Sequence, residues 1–295
     1  MKRIYMVSLI MLIGCGQRDK EVTVEVASPE VLEQVAIYRI HAPNAYKYWT
    51  ASPEQCDALL FFTLTQIGLR QKSKDIAKFE LEPGHFARRP DIEVCDNYIS
   101  RDMLVGVFAY AYFFKDLEMA ERIYDYAKSH DGYMGAYPVK DRYVQSMTAN
   151  LWGLLARIIY SLGGPDLPER SYPVLRAYTP GYAAHLAMIS IYIESDISGK
   201  MGFFDKYYLS KVLEDSPKNL LALALYGREE RAFLNRFREE AGTTWPQNEL
   251  PTTDDWCERW KTQREDSDSG MDPCPEREET HSGGDFLFAA TVLGY

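Results

Sequence analysis

Histidine is scarce in this chain, five residues in all, and three of the five stand where they could do chemistry. His130 is followed by Asp131, His281 precedes Asp285 by four residues, and His185 interrupts an apolar stretch. Arg101 and Asp102 adjoin at the head of another such stretch, and Asp57 heads a third. Two carboxylates flanking a glycosidic bond suffice for acid/base hydrolysis. The catalytic candidates for that reaction are Asp102 first, then His281 and Asp285, then Asp57. A lyase would instead need a His or Tyr base with a cation to neutralise an acidic sugar. Arg101, His130, Asp131, Tyr137 and His185 are the binding candidates, and all but Asp131 would serve a lyase.

Each of these residues also has a structural reading. Asp57 and Asp102 would favour a helix first turn in any protein. Arg101 could pair with a surface carboxylate, and His185 on an apolar helix could be a hydrogen-bonded core residue. The spacing of His281 and Asp285 puts them on one helix face, where they could hold a metal or orient an imidazole. Gly283 and Gly284 between them argue against a regular helix, since Gly costs about 1 kcal/mol per helical position. The chain has no Gly-x-Ser-x-Gly elbow, His-Glu-x-x-His, phosphate-binding loop, Cys-x-x-Cys or dinucleotide fingerprint. No metal set is therefore assigned and no cofactor is implied.

The first residues set the compartment. Lys2 and Arg3 give a positive start, Ile4 to Ile13 is apolar apart from Ser8, and Leu12-Ile13-Gly14-Cys15 follows. The apolar run is too short to span a bilayer, which needs about 20 residues, so it reads as a processed segment. The quartet resembles the lipobox of bacterial lipoproteins, in which a small residue precedes the cysteine that is acylated. That resemblance implies a signal peptide over 1–14, an acylated Cys15 and a membrane tether over 15–27. Gly16 and Gln17 in place of an Asp after the cysteine favour the outer membrane. The chain as a whole has a net charge of −10. Such a balance argues against nucleic-acid binding, which relies on Lys and Arg neutralising phosphates.

From residue 28 the chain reads as one helical domain to 295, with a polar loop at about 242–282. Two kinds of helix alternate. One is apolar all round: 58–69, 103–114, 147–162 (interrupted by Arg157), 183–193, 220–226 and 286–293. Such helices must be surrounded by protein. The other kind is amphipathic, most clearly 116–129, and more weakly 28–40, 73–80, 204–214 and 228–240. The stretch 166–177, with Pro168 and Pro173, is a poor helix. No strand-turn-strand pattern stands out.

This alternation resembles an α/α toroid, a ring of inner helices wrapped by outer ones and the fold of many glycoside hydrolases, polysaccharide lyases and terpenoid cyclases. A rival architecture is a helical-repeat solenoid. Residues 104–127 partly fit a tetratricopeptide unit, but no second copy follows at a 34-residue period. The toroid implies that all inner helices start at one end, so the polar junctions there converge on one mouth. His85, Arg88, Lys218 and Asn219 belong to the same junctions. Four cysteines remain beyond Cys15, an even number that suggests disulfides in an exported protein. Cys56 and Cys95 both precede inner helices, and Cys257 and Cys274 bracket the polar loop, so the expected bridges are Cys56–Cys95 and Cys257–Cys274. The second would stabilise its loop by roughly 3 kcal/mol in the chain-entropy model.

Two functions fit this reading. One is an envelope lipoprotein that binds or cleaves a carbohydrate at the ring mouth. The other is a non-catalytic helical scaffold that docks an envelope protein. A deep mouth with paired carboxylates and histidines would favour the first. A filled, apolar centre with an exposed patch elsewhere would favour the second.

Overall fold

The computed structural model describes residues 29–41, 58–88, 90, 99–135, 146–172, 182–215, 217, 219–244 and 284–295. Ten α-helices lie among them: α1 (Pro29–His41), α2 (Ala58–Leu69), α3 (Arg101–Phe113), α4 (Leu117–Ser129), α5 (Ala149–Ser161), α6 (Tyr182–Ser198), α7 (Phe203–Asp215), α8 (Leu220–Gly227), α9 (Arg231–Thr244) and α10 (Gly284–Val292). The chain is all-α, as its periodicity requires. Side chains close several helix starts. Asp116 accepts from Met119 N at 3.1 Å, Thr148 from Leu151 N at 3.3 Å, and Asn219 from Ala222 N at 3.0 Å. Each satisfies a donor that the first turn leaves open.

The six apolar stretches become α2, α3, α5, α6, α8 and α10, and their side chains form the core. Every residue from Leu220 to Tyr226 is buried, as is every residue from Phe286 to Val292. Helix α4 behaves as its pattern demands: Met119, Ala120, Ile123, Tyr126 and Ala127 are buried while Glu118, Asp125 and Lys128 face outward.

One expected element is corrected. The stretch 73–80 is not an amphipathic helix but a 3-10 turn over Lys74–Lys78. It leads into a hairpin of β1 (Glu80–Glu82) and β2 (His85–Phe86) that the sequence pattern did not reveal. The hairpin turns at Gly84, whose φ is +83°. A Cβ there would also fall 2.1 Å from the Arg122 carbonyl oxygen. Only glycine fits, because the turn needs the left-handed region and lies directly on α4. Farther on, the poor helix at 166–177 contains a single 3-10 turn, Pro168–Ser171.

Packing runs in a closed order. Helix α2 packs on α3, α3 on α5 and α6, α5 on α6, α6 on α8, α8 on α10, and α10 back on α2. The amphipathic helices lie outside this sequence: α4 against α3 and α5, α7 against α6 and α8, α9 against α8, and α1 against α9 and α10. The α2–α10 junction is tight. A Cβ on Gly68 would fall 2.3 Å from Leu287 Cβ and 3.0 Å from the Leu287 carbonyl carbon, so the backbones approach as closely as a missing side chain permits.

Hydrogen bonds fix the directions. Tyr110 near the end of α3 donates to the Ser73 carbonyl just past α2 at 3.0 Å. Tyr112 donates to Asp196 near the end of α6 at 2.8 Å, and Arg228 just past α8 donates to the same carboxylate at 2.9 Å. The core helices therefore end together and begin together. Helix α1 shares their direction, because Arg39 near its end donates to the carbonyls of Gly68 at 3.2 Å and Tyr295 at 3.0 Å. The middle is filled, for α3 lies directly on α6, and Val105, Val107, Phe108, Ile189 and Ile193 are fully buried. Among the described residues no helix is long and apolar enough to cross a membrane.

Candidate functional site

The starts of α3 and α5 meet beside the end of α4. Leu59 N, in the first turn of α2, donates to the Arg88 carbonyl at 3.1 Å, just past the hairpin. Arg101, the first residue of α3, donates from Nε to the Ser146 carbonyl at 3.2 Å. Ser146 pairs with Tyr133 in an antiparallel bridge, and Met147 N donates to the Gly132 carbonyl at 2.8 Å. These bonds join the starts of α3 and α5 to the end of α4, and the start of α2 to the chain just past the hairpin.

A cleft of about 200 Å³ opens beside Arg101, between α3, α5 and α6. Its polar lining is Arg101, Thr148, Asn150, Ser190 and Glu194, and Leu151, Leu154, Leu186 and Ala187 complete the wall. Glu194 is held by Arg157 Nη2 at 2.7 Å, with the two side chains only 13% and 19% exposed. Arg157 also donates to the carbonyls of Arg170 and Tyr172, both at 3.1 Å. This accounts for the lone charge in an apolar helix: Arg157 spans from core to surface and fixes a carboxylate at the cleft wall. The volume is below the 300–1,000 Å³ typical of ligand pockets, so the cleft suits one small polar molecule rather than a polymer. A second, more open groove of about 780 Å³ lies by Tyr160, Asp166, Pro168 and Arg170, towards the end of α5.

Two histidines sandwich a tyrosine at the end of α4. His85 stacks on Tyr126 with ring centroids 4.6 Å apart, and Tyr126 stacks on His130 at 4.1 Å. His130 ends α4, its Nδ1 2.8 Å from the Tyr126 carbonyl oxygen and 3.0 Å from Ser129 Oγ. His85 Nδ1 lies 3.3 Å from Glu82 Oε1. Burial holds the His85 imidazole below the usual histidine range. Glu82 opposes this by hydrogen bond and charge, His130 adds to it, and the Met134 carbonyl raises it slightly. Nε2 is nevertheless buried without a partner at hydrogen-bonding geometry. At 6% exposure this imidazole meets no substrate from solvent. Its stack ties the hairpin to the end of α4.

The candidates from sequence divide accordingly. Arg101 lines the cleft, and His130 belongs to the stack. Asp131 is an exposed turn residue with φ +52°. Asp102, His185 and Asp285 lie on α3, α6 and α10, but their side chains lie outside those described. Asp57, Tyr137, His281 and Cys15 lie outside the described residues, as do Cys56, Cys95, Cys257 and Cys274. Among the described residues no group of three His, Cys, Asp or Glu could hold a metal ion. Sequence reasoning missed Asn150, Ser190 and Glu194. The unpaired look of Arg157 was the one available signal, because a cation in a buried helix needs an anion nearby.

No protein-family model, curated protein or solved structure matches the chain.

Proposed function

We propose that this chain is a lipid-anchored helical scaffold of the bacterial envelope, acylated at Cys15 and acting through its outer surface rather than by catalysis. The carrying observation is the filled centre. Helix α3 lies on α6, and Val105, Val107, Phe108, Ile189 and Ile193 on these two helices are fully buried, so among the described residues no chamber is left where a polymer could lie between two carboxylates. Large apolar side chains stand outside instead, on α7. The closed order of helices supports a compact, toroid-like body on the tether. Cys15 before Gly16 and Gln17 supports an outer-membrane address, and the acidic balance supports a protein partner over nucleic acid. Replacing Cys15 with Ala should release the body from membranes and abolish labelled palmitate uptake. Membrane fractionation of the variant together with an unlabelled wild type would refute the anchor.

The Arg101 cleft favours a second reading, a small carbohydrate or other polar ligand bound at the mouth. Glycan-array binding by the chain from residue 16 onward, lost in Arg101→Ala, would support it. Asp102, His281, Asp285 and Asp57 are its catalytic candidates, to be tested by product analysis.

A further inference from the structure

The cleft beside Arg101 carries opposite charges at its two ends. Arg101 begins α3 and bonds to the Ser146 carbonyl just before α5, so it stands where these helices start. Leu186, Ser190 and Glu194 follow at steps of four along α6 and share one face. Glu194 therefore lies two turns, about 12 Å, farther along α6 than Leu186. Arg157, about two turns into α5, holds it there at 2.7 Å. Arg157 itself lines the open groove by Tyr160 and not this cleft, so the carboxylate stands between the two. The hydroxyls follow the same polarity. Thr148 Oγ1 accepts from Leu151 N at 3.3 Å and has its hydrogen to donate, near Arg101. Ser190 Oγ uses its hydrogen on the Leu186 carbonyl at 3.0 Å and has lone pairs to offer, one turn before Glu194. Between the ends the wall is aliphatic: Leu151, Leu154, Leu186 and Ala187. Among the described residues no aromatic ring lines the cleft, so no ring face is offered to a sugar.

We infer that this cleft takes a short ω-amino carboxylic acid, with its carboxylate at Arg101 and Thr148, its ammonium at Ser190 and Glu194, and its methylenes against the leucines. The inference rests on the reading of the cleft as a small-ligand site and names the ligand class. A guanidinium matches a carboxylate in shape and charge, and an ammonium donates three hydrogen bonds to oxygens. The length fits. Charged groups about 6 Å apart, with a hydrogen bond of about 2.9 Å at either end, span the two turns of α6. The size fits as well. The cleft holds about 200 Å³, somewhat more than the roughly 150 Å³ that accepts one benzene ring, so about eight non-hydrogen atoms can enter. An α-amino acid has both charges on one carbon and cannot reach both ends. A plain carboxylate would press a methyl group onto the Arg157–Glu194 pair, and a plain amine would press one onto Arg101. Each removes water from a charge without replacing it.

The test is titration calorimetry of the chain from residue 16 onward, which contains every described element, with δ-aminovalerate, valerate, amylamine and glucose. The first should bind with a Kd below about 1 mM, and valerate and amylamine about tenfold or more weaker, since each lacks one charged hydrogen bond. Arg101→Ala should weaken δ-aminovalerate about tenfold or more and leave amylamine unchanged. Ala187→Leu fills the cleft from α6 with a good helix former and should abolish binding while circular dichroism stays the same. Valerate or amylamine binding as tightly as δ-aminovalerate would overturn the inference, as would full binding by either variant. Glucose binding that Ala187→Leu blocks, with no response to δ-aminovalerate, would overturn the ligand class and keep the cleft as a site. No binding of any of the four would overturn both.

Discussion

The two ends of the helical body differ in how they use polar groups. Where the core helices end, tyrosines and arginines are locked. Burial, with Asp196 behind it, pushes Tyr192 up to about 12 and Tyr112 higher still, and burial raises Tyr110 to about 12 against the opposing Ser73 N–H, which donates to its oxygen at 2.9 Å. These hydroxyls stay protonated at any physiological pH, and those of Tyr110 and Tyr112 act as fixed donors between helices. Arg39 and Arg70 meet on the Tyr295 carbonyl at 3.0 and 2.7 Å, tying α1 and α2 to the end of α10. Where the helices begin, contacts pass through turns instead, a cleft stays open, and a buried imidazole keeps one nitrogen unpaired. Among the described residues the side-chain ties gather where the core helices end, while the cleft beside Arg101 opens at the start of α3.

The largest expected effect comes from breaking the locked end at its tightest approach. Gly68→Val should force α10 off α2 and cost about 3 kcal/mol or more in urea denaturation. Next is the Arg157–Glu194 pair, which stands at the cleft wall. Glu194→Gln should cost about 2 kcal/mol, since it strands a largely buried guanidinium. Replacing both residues with apolar ones should cost less than that single change. Tyr112→Phe removes one donor to a carboxylate and should cost about 1.5 kcal/mol by the same measurement.

The imidazole sharpens the comparison through pH. Its folded pKa is lowered, so the unfolded chain binds the proton more readily. Stability is then full above about pH 6.5 and is lost as pH falls through the lowered folded value. Asp116, Glu169 and Glu229 are also lowered, despite burial, by Lys72, Lys128 and Lys206, but they act in the carboxylate range below that window. His85→Phe should therefore flatten the melting temperature between about pH 6.5 and 5. An unchanged slope would mean that other groups govern it. The smallest effect should be that of Arg101→Ala, within about 0.5 kcal/mol, because the side chain is only half-buried.

Much of the fold was legible because six helices carry almost no charge, and a helix without a polar face has only the interior to occupy. The place of 28–40 beside the last core helix followed from counting, and α1 does pack on α10. The hairpin was hidden. Lys74, Asp75, Ile76, Ala77 and Lys78 mimic a helical period, while β1 and β2 are too short to show alternation. What identifies the turn is the fit of Gly84 against the Arg122 carbonyl, a tertiary fact. The site was legible in one half only. Arg101 at a helix start was a binding candidate and lines the cleft, whereas Arg157 was noted only as the lone charge of an apolar helix. Glu194 looked like an ordinary charge until α6 was placed on α5. The His85–Tyr126–His130 stack joins residues 41 and 4 positions apart, with no local motif to announce it.

The central proposal is that the chain acts as a scaffold and not on a polymer, a reading that rests on the filled centre of the described helices. Product analysis of the chain from residue 16 onward, incubated with a panel of neutral and acidic polysaccharides, tests it directly. No new reducing ends and no unsaturated sugar products are expected from any substrate. Cleavage that disappears in Asp102→Asn, with the melting temperature unchanged, would contradict the scaffold account and establish an active mouth.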